Sequence, residues 1–332
     1  MPFYQFETVM LYVILIISVS FGASGAFVIQ KYGANIGLTD HPNQRSSHVL
    51  PVPKGGGIGI SGAFAVCCLI LGIPFLFWLP PFLMSLVSFG NDRVDISARI
   101  RLLIQLFLAG IMAYGVLILQ GYQETPLYLW IVAVIFITGT ANFYNFMDGI
   151  NGIAAITGIV GFGLLALYGK SSGYDARFVG IALAVCVSCA GFLPFNFPRA
   201  RAFMGDAGSI LLGFVFAGIV LVFSENMIDF VVMAGFMFPF YADEIITMII
   251  RIKHGDSLLK PHRKHIYQIL VNEMGIDHWK ISVLFGVIQL LVGVSLIMMK
   301  SFGMITLLCF FTLCFGMMVF FRTCLGKIRL SP

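Results

Sequence analysis

Long apolar runs, broken by short clusters of charged and polar residues, recur along the whole chain. A crossing needs about 20 apolar residues, because a rise of about 1.5 Å each must cover about 30 Å of hydrocarbon. Reading between charges predicts helices near 9–29, 57–73, 76–90, 102–120, 127–145, 152–169, 178–195, 208–223, 230–250, 281–299 and 303–321. The uncharged stretch from Gly55 to Gly90 is too long for one crossing, so Pro74, Pro80 and Pro81 are expected to break it into two short helices. The expectation is an all-α polytopic membrane protein of about 11 transmembrane helices, forming one domain over residues 1–332.

Composition agrees. Apolar residues make up 59% and charged residues 11% of 332, and mean hydropathy is +0.96. A soluble domain carries about 25% charged residues, so a water-facing surface is excluded, and the 33 Phe and 16 Met exclude disorder. Seventeen of the 20 Lys and Arg fall in alternate loops and the C-terminal tail, leaving Lys170, Arg177 and Lys300 opposite. By the positive-inside rule the rich face is cytoplasmic, with the N-terminus periplasmic and the C-terminus cytoplasmic. The net charge of +5 is then a topological bias and needs no nucleic acid. No basic segment precedes the first apolar run, which disfavours a cleaved signal peptide. Six of the seven Cys lie inside spans, where small apolar packing residues are the expected role, Cys186 and Cys189 included.

The carboxylates crowd onto the same face as the cations, which topology alone does not require, and the mixture suggests a divalent-metal and phosphate site. Five clusters carry it. The loop from Asp40 to Gly57 holds Arg45, His48 and Lys54 beside Gly55-Gly56-Gly57, whose amides could approach an anion, although a plain topological basic loop reads similarly. Asp92 and Asp95, three apart, could share a face toward one ion, or Asn91 or Asp92 could simply cap the next helix. Asn142, Asn145 and Asp148 line one helical face after fifteen apolar residues and must be satisfied by protein or water. Arg199, Arg201 and Gly205-Asp206-Ala207-Gly208-Ser209 open another helix, whose N-terminus attracts anions; an ordinary cap at Asp206 is the alternative. The run Lys260-Pro261-His262-Arg263-Lys264-His265 could clamp phosphate, or be a solvated basic loop.

Taken in order along one face, these segments resemble the polyprenyl-phosphate N-acetylhexosamine-1-phosphate transferases, from Asp40 to Gln268. The shared elements are D-x-P-x-x-R-x-x-H-x-x-P-x-P-x-G-G, D-x-x-D, N-x-x-N-x-x-D-G, M-G-D-x-G-S and a His-containing loop. Pro239-Phe240-Tyr241-Ala242-Asp243, with Thr247, Arg251 and His262-Arg263-Lys264-His265-Ile266-Tyr267-Gln268, looks like the subgroup transferring N-acetylfucosamine or N-acetylquinovosamine phosphate in O-antigen synthesis. The family's usual Asp-Asp is Asn91-Asp92 here, and its Asp-Gly-x-Asp-Gly is Asp148-Gly149-Ile150-Asn151-Gly152.

The resemblance implies an eleven-helix enzyme of the bacterial inner membrane, working through cytoplasmic loops on a UDP-N-acetylhexosamine and undecaprenyl phosphate, releasing UMP. It implies Mg²⁺, which Mn²⁺ could replace, on Asp92 and Asp206, with Asp92, Asp95 and Asp148 as catalytic carboxylates. Substrate contacts would fall to Arg45, His48, Lys54, Asn142, Asn145, Arg199, His262, Arg263 and His265. UDP-N-acetylglucosamine and UDP-N-acetylmuramoyl-pentapeptide stay open as donors, and a homodimer as the assembly. The alternatives are a secondary transporter, disfavoured because the carboxylates sit at helix ends and no repeat is visible, and a catalytically impaired scaffold, suggested by Asn91 and Asn151.

Overall fold

The computed structural model describes residues 3–42, 47, 50–94, 96–122, 124, 126–256 and 263–330, with side chains described from Val9 to Gly326. Arg45, His48, Asp95 and His262 lie outside the described residues. The helices are α1 (Phe3–Tyr32), α2 (Ile58–Ile70), α3 (Phe75–Asn91), α4 (Ala98–Leu119), α5 (Leu127–Phe146), α6 (Ile153–Ser172) and α7 (Ala176–Asn196). They continue with α8 (Gly205–Phe223), α9 (Met227–Ala234), α10 (Phe238–Lys253), α11 (Ile266–Asn272), α12 (His278–Met299) and α13 (Met304–Leu330).

Every apolar run expected to be helical is so, but nine helical stretches among the described residues are long and apolar enough to cross a membrane, not eleven. The other two, α2 and α3, have 13 and 17 residues, short of the roughly 20 that a bilayer core requires. Their break lies only at 71–74, where Gly72 has φ +63° and Pro74 caps α3. Pro80 and Pro81, the sixth and seventh residues of α3, stay inside the helix although each forgoes an N–H bond to the Leu76 or Phe77 carbonyl, so the expectation that they break it was wrong. The run expected as one span over 230–250 lies within Met227–Lys253, one of those nine, but it is not regular α-helix throughout. A 3₁₀ turn at Gly235–Met237 separates α9 from α10, and Pro239 in α10's first turn has no N–H to offer the Gly235 carbonyl.

Helix α8 is the axis of the bundle, with α3 and α5 packed on it, while α1 lies on α2 and α7 and α12 lies on α6. Of α8's apolar stretch 83% is buried, against 11% for α13 at the periphery. The first turns of α2 and α8 touch backbone to backbone: a Cβ on Gly57 would lie 2.4 Å from the Gly208 Cα. Between α1 and α2, β1 (Thr39–Asp40) pairs antiparallel with β2 (Val52–Pro53), resting on Ile29, Leu38 and Ala202.

The two ends of the bundle differ. At the end where α6 finishes and α9 begins, Asp229 is buried and accepts from Tyr168 Oη at 2.6 Å and Asn226 Nδ2 at 2.7 Å, with Lys300 Nζ at 2.7 Å. Asp229→Ala is expected to lower stability by about 2 kcal/mol, because buried donors lose their acceptor; thermal unfolding in detergent measures it. The opposite end gathers nearly all the motif residues.

Candidate active site

At the motif end the chain first joins two helix entrances. Phe203 N donates to Pro53 O at 2.8 Å, Gly56 N to Phe203 O at 2.9 Å and Gly57 N to Met204 O at 2.9 Å. The amides of Gly56 and Gly57, expected to cradle an anion, are therefore spent on the neighbouring strand-like segment, and these glycines serve close backbone approach instead. Just beyond, Gly205 takes φ +74°, and an ideal Cβ there would lie 2.8 Å from Asp92 Oδ2 and 2.8 Å from Gly55 N. Only a residue without a side chain fits between Asp92 and the start of α8.

Three carboxylates converge on this point from three chain segments. Asp92 stands at the C-terminal end of α3 rather than capping α4, a role taken by Ser97. Its side chain is 5% exposed, with Lys54 Nζ 3.3 Å from Oδ1 and no partner for the buried Oδ2. Asp206, in the first turn of α8, holds Arg101 at 2.5 Å and accepts from Asn145 Nδ2 at 2.9 Å. Asp148 follows the end of α5. Burial, then repulsion from Asp206, push Asp92 up from 3.8 to about 7 against the pull of Lys54. Burial, then Asp206 and Asp92, push Asp148 up to about 7. Mutual repulsion of this kind is what a bound cation relieves.

Magnesium takes one or two carboxylates, several waters and substrate phosphate oxygens. No group of three or more His, Cys, Asp or Glu among the described residues is arranged to hold a metal. A two-carboxylate site on Asp92 and Asp206 fits that chemistry, and the orphaned Asp92 Oδ2 beside the bare Gly205 is the specific feature that favours it.

The asparagine face divides its work. Asn145 binds Asp206 and Ser209 Oγ, each at 2.9 Å, while Asn142 donates to Gln105 Oε1 at 3.1 Å and Thr138 O at 2.8 Å. Arg101 and Gln105 were not singled out in the sequence; Arg101 had counted only as a topological charge. Their signal is spacing, because residues four apart share one face of α4.

The two Asn departures both have structural work. Asn91 Oδ1 accepts from Ile96 N at 2.9 Å, closing the α3–α4 turn. Asn151 Nδ2 donates to Pro198 O at 3.3 Å, a bond that an ionised Asp could not make. Its carbonyl accepts from Ser282 Oγ at 2.7 Å.

The His-containing segment behaves differently from expectation. His265 is 2% exposed, with Nδ1 3.5 Å from Asp243 Oδ1 and Nε2 3.3 Å from Glu244 Oε2, so it faces carboxylates inside the protein rather than a substrate. It opens α11 in a reciprocal capping box with Gln268. Asp243, from α10, accepts from Ile266 N at 2.9 Å and Tyr267 N at 3.4 Å and so caps α11 from outside. Arg263 is half-buried, and Arg199 is exposed on the turn before α8.

Known proteins resemble the chain over most of its length. Residues 74–224 match the model of glycosyl transferase family 4. An undecaprenyl-phosphate alpha-N-acetylglucosaminyl 1-phosphate transferase of Thermotoga maritima is 29% identical over 276 residues, covering 81% of this chain and 85% of that protein. The protein of the same name from Yersinia pestis is 28% identical, covering 76% and 74%. A decaprenyl-phosphate N-acetylglucosaminephosphotransferase of Mycobacterium tuberculosis is 27% identical, covering 80% and 76%. The chain, a multi-pass membrane protein by its helices, is thus similar over most of its length to polyprenyl-phosphate hexosamine-1-phosphate transferases, and residues 74–224 carry the match to glycosyl transferase family 4.

Proposed function

We propose that this protein transfers an N-acetylhexosamine 1-phosphate from a UDP-sugar to undecaprenyl phosphate, releasing UMP, at the cytoplasmic face of a bacterial inner membrane. The observation that carries the reading is the meeting of Asp92, Asp148 and Asp206 at one end of the bundle, with two cations, Lys54 and Arg101, on two of them. N-acetylfucosamine or N-acetylquinovosamine is the favoured sugar, from Asp243 to Gln268 of the sequence, and N-acetylglucosamine is the donor named by the relatives' activity.

Asp92 and Asp206 would hold Mg²⁺, which when bound neutralises the pyrophosphate oxygens of the donor. Lys54 and Arg101 orient phosphate oxygens by charge once they leave their carboxylates. A phosphate monoester has a second pKa of about 6, so most of the acceptor is already ionised at neutral pH. Asp148, raised to about 7, is matched to take the remaining proton from the acceptor's phosphate oxygen. An Asp at position 91 is then dispensable as a base, and catalysis rests on positioning and electrostatics.

The test incubates the purified protein with undecaprenyl phosphate, Mg²⁺ and a panel of UDP-N-acetylhexosamines. UMP release with one donor is expected; its absence with all of them refutes the proposal. A pH profile adds a second check. Asp92 and Asp148 are protonated below about 7 and ionised above it, so kcat/KM is expected to fall as pH drops through that value. A flat profile from about pH 5.5 to about 8 would show that neither carboxylate needs to be ionised.

A further inference from the structure

Helix α11 has seven residues, too few to hold its own shape, and its first turn is fixed by Asp243 and the His265–Gln268 capping box. That fixed turn presents one aromatic side chain to the active-site end of α5. Tyr267 is fully buried, its ring stacked on His265 at 5.5 Å and 16° and set edge-on to Phe285 at 6.4 Å. Its Oη donates to Phe146 O at 3.1 Å. Phe146 is the last residue of α5, where a carbonyl has no partner within the helix, and Asp148 is two residues further on.

The same ring fills the space beside the next residue. A Cβ on Gly149 would stand 2.2 Å from Tyr267 Oη, 3.0 Å from Cζ and 3.1 Å from Cε2. Tyr267 therefore bonds to the turn just before Asp148 and abuts it just after. The far side of the turn is held separately, by Ser282 on Asn151 O and by Asn196 Oδ1, which accepts from Gly152 N at 2.6 Å.

We propose that Tyr267 is a positioning residue for the transfer reaction, its hydroxyl pinning the 146–149 turn so that Asp148 is held in register with Asp206 and Asp92. It touches no substrate; it acts through the turn. The inference rests on the transferase reading above, and it links the basic segment around Arg263 to the carboxylate cluster through α11.

The test compares full-length wild type with Tyr267→Phe, Gly149→Ala and the double variant, each purified in detergent and assayed for UMP release with undecaprenyl phosphate and the active UDP-sugar. Tyr267→Phe keeps the ring and removes the tether, so kcat is expected to fall about 10- to 100-fold, as for other supporting groups, with the donor KM moving less than about threefold. Amide hydrogen exchange in 146–149 should quicken in the same variant. Gly149→Ala should lose at least as much activity, and the double variant should be no worse than Gly149→Ala alone, since the atom 2.2 Å away is gone. Wild-type kcat with unchanged exchange in Tyr267→Phe would overturn the proposal, as would losses that add in the double variant. A purely stabilising role would reduce the folded fraction while leaving kcat per folded molecule intact, and that result also overturns it. If wild type releases no UMP the transferase reading fails, while the exchange measurement still decides whether the tether exists.

Discussion

Asp206→Ala is expected to abolish UMP release, by on the order of 10³-fold or more, the scale seen when a preorganised electrostatic group is removed from a reaction centre. Asp206 is the hub of the cluster: Arg101 at 2.5 Å, Asn145 at 2.9 Å, and a charge felt by both Asp92 and Asp148. Its loss removes a proposed cation ligand and leaves a guanidinium where a cation would otherwise sit. Asp206→Asn separates charge from shape, because an amide oxygen still accepts from Asn145 while the ionic partner of Arg101 is gone. Both variants should fail to turn over, with Asp206→Asn keeping the wild-type melting temperature within a few degrees. Turnover within about tenfold of wild type in either one would remove Asp206 from the centre of the mechanism.

Most of the architecture was legible because a bilayer demands long apolar runs and confines charge to helix ends. Every expected helix is present. The misreadings came from local backbone chemistry that hydropathy does not register. Pro80 and Pro81 looked like a break but are carried inside α3 with two backbone bonds forgone, whereas Pro239 in the first turn of α10 does follow an interruption, the 3₁₀ turn at Gly235–Met237. Of the site, the carboxylates and Asn145 could be found from spacing, since an Asp or Asn at the end of an apolar run is costly without a purpose. Arg101 was passed over despite its spacing to Gln105, because a basic residue at the positive end of a span has a topological explanation ready to hand. His265 misled for the opposite reason. A His in a basic loop looks like a ligand contact, and only the fold brings Asp243 and Glu244 around it. Asn151 is similar: what reads as a missing acid is an amide donor to Pro198 O.

Gly205→Ala should be nearly as damaging as loss of Asp206, although it removes no functional group. A left-handed φ of +74° costs an L-residue roughly 1–2 kcal/mol. That strain alone would lower stability and leave chemistry alone. The surroundings make it worse, because the added methyl would lie 2.8 Å from Asp92 Oδ2, 2.8 Å from Gly55 N and 2.9 Å from Gly55 Cα. Two of those atoms are backbone held by the Pro53–Phe203 pairing, so the carboxylate or the start of α8 must yield. Either movement separates Asp92 from Asp206, and misplacement by about 1 Å costs about 10²-fold in rate. Gly72→Ala provides the control: its φ of +63° imposes comparable strain at the α2–α3 turn, where nothing lies within 4 Å of the new Cβ. The two variants should lose similar stability, and only Gly205→Ala should lose turnover. Equal turnover in both would mean that the approach of Asp92 to α8 has no part in catalysis, and with it would go the case for a cation shared by Asp92 and Asp206.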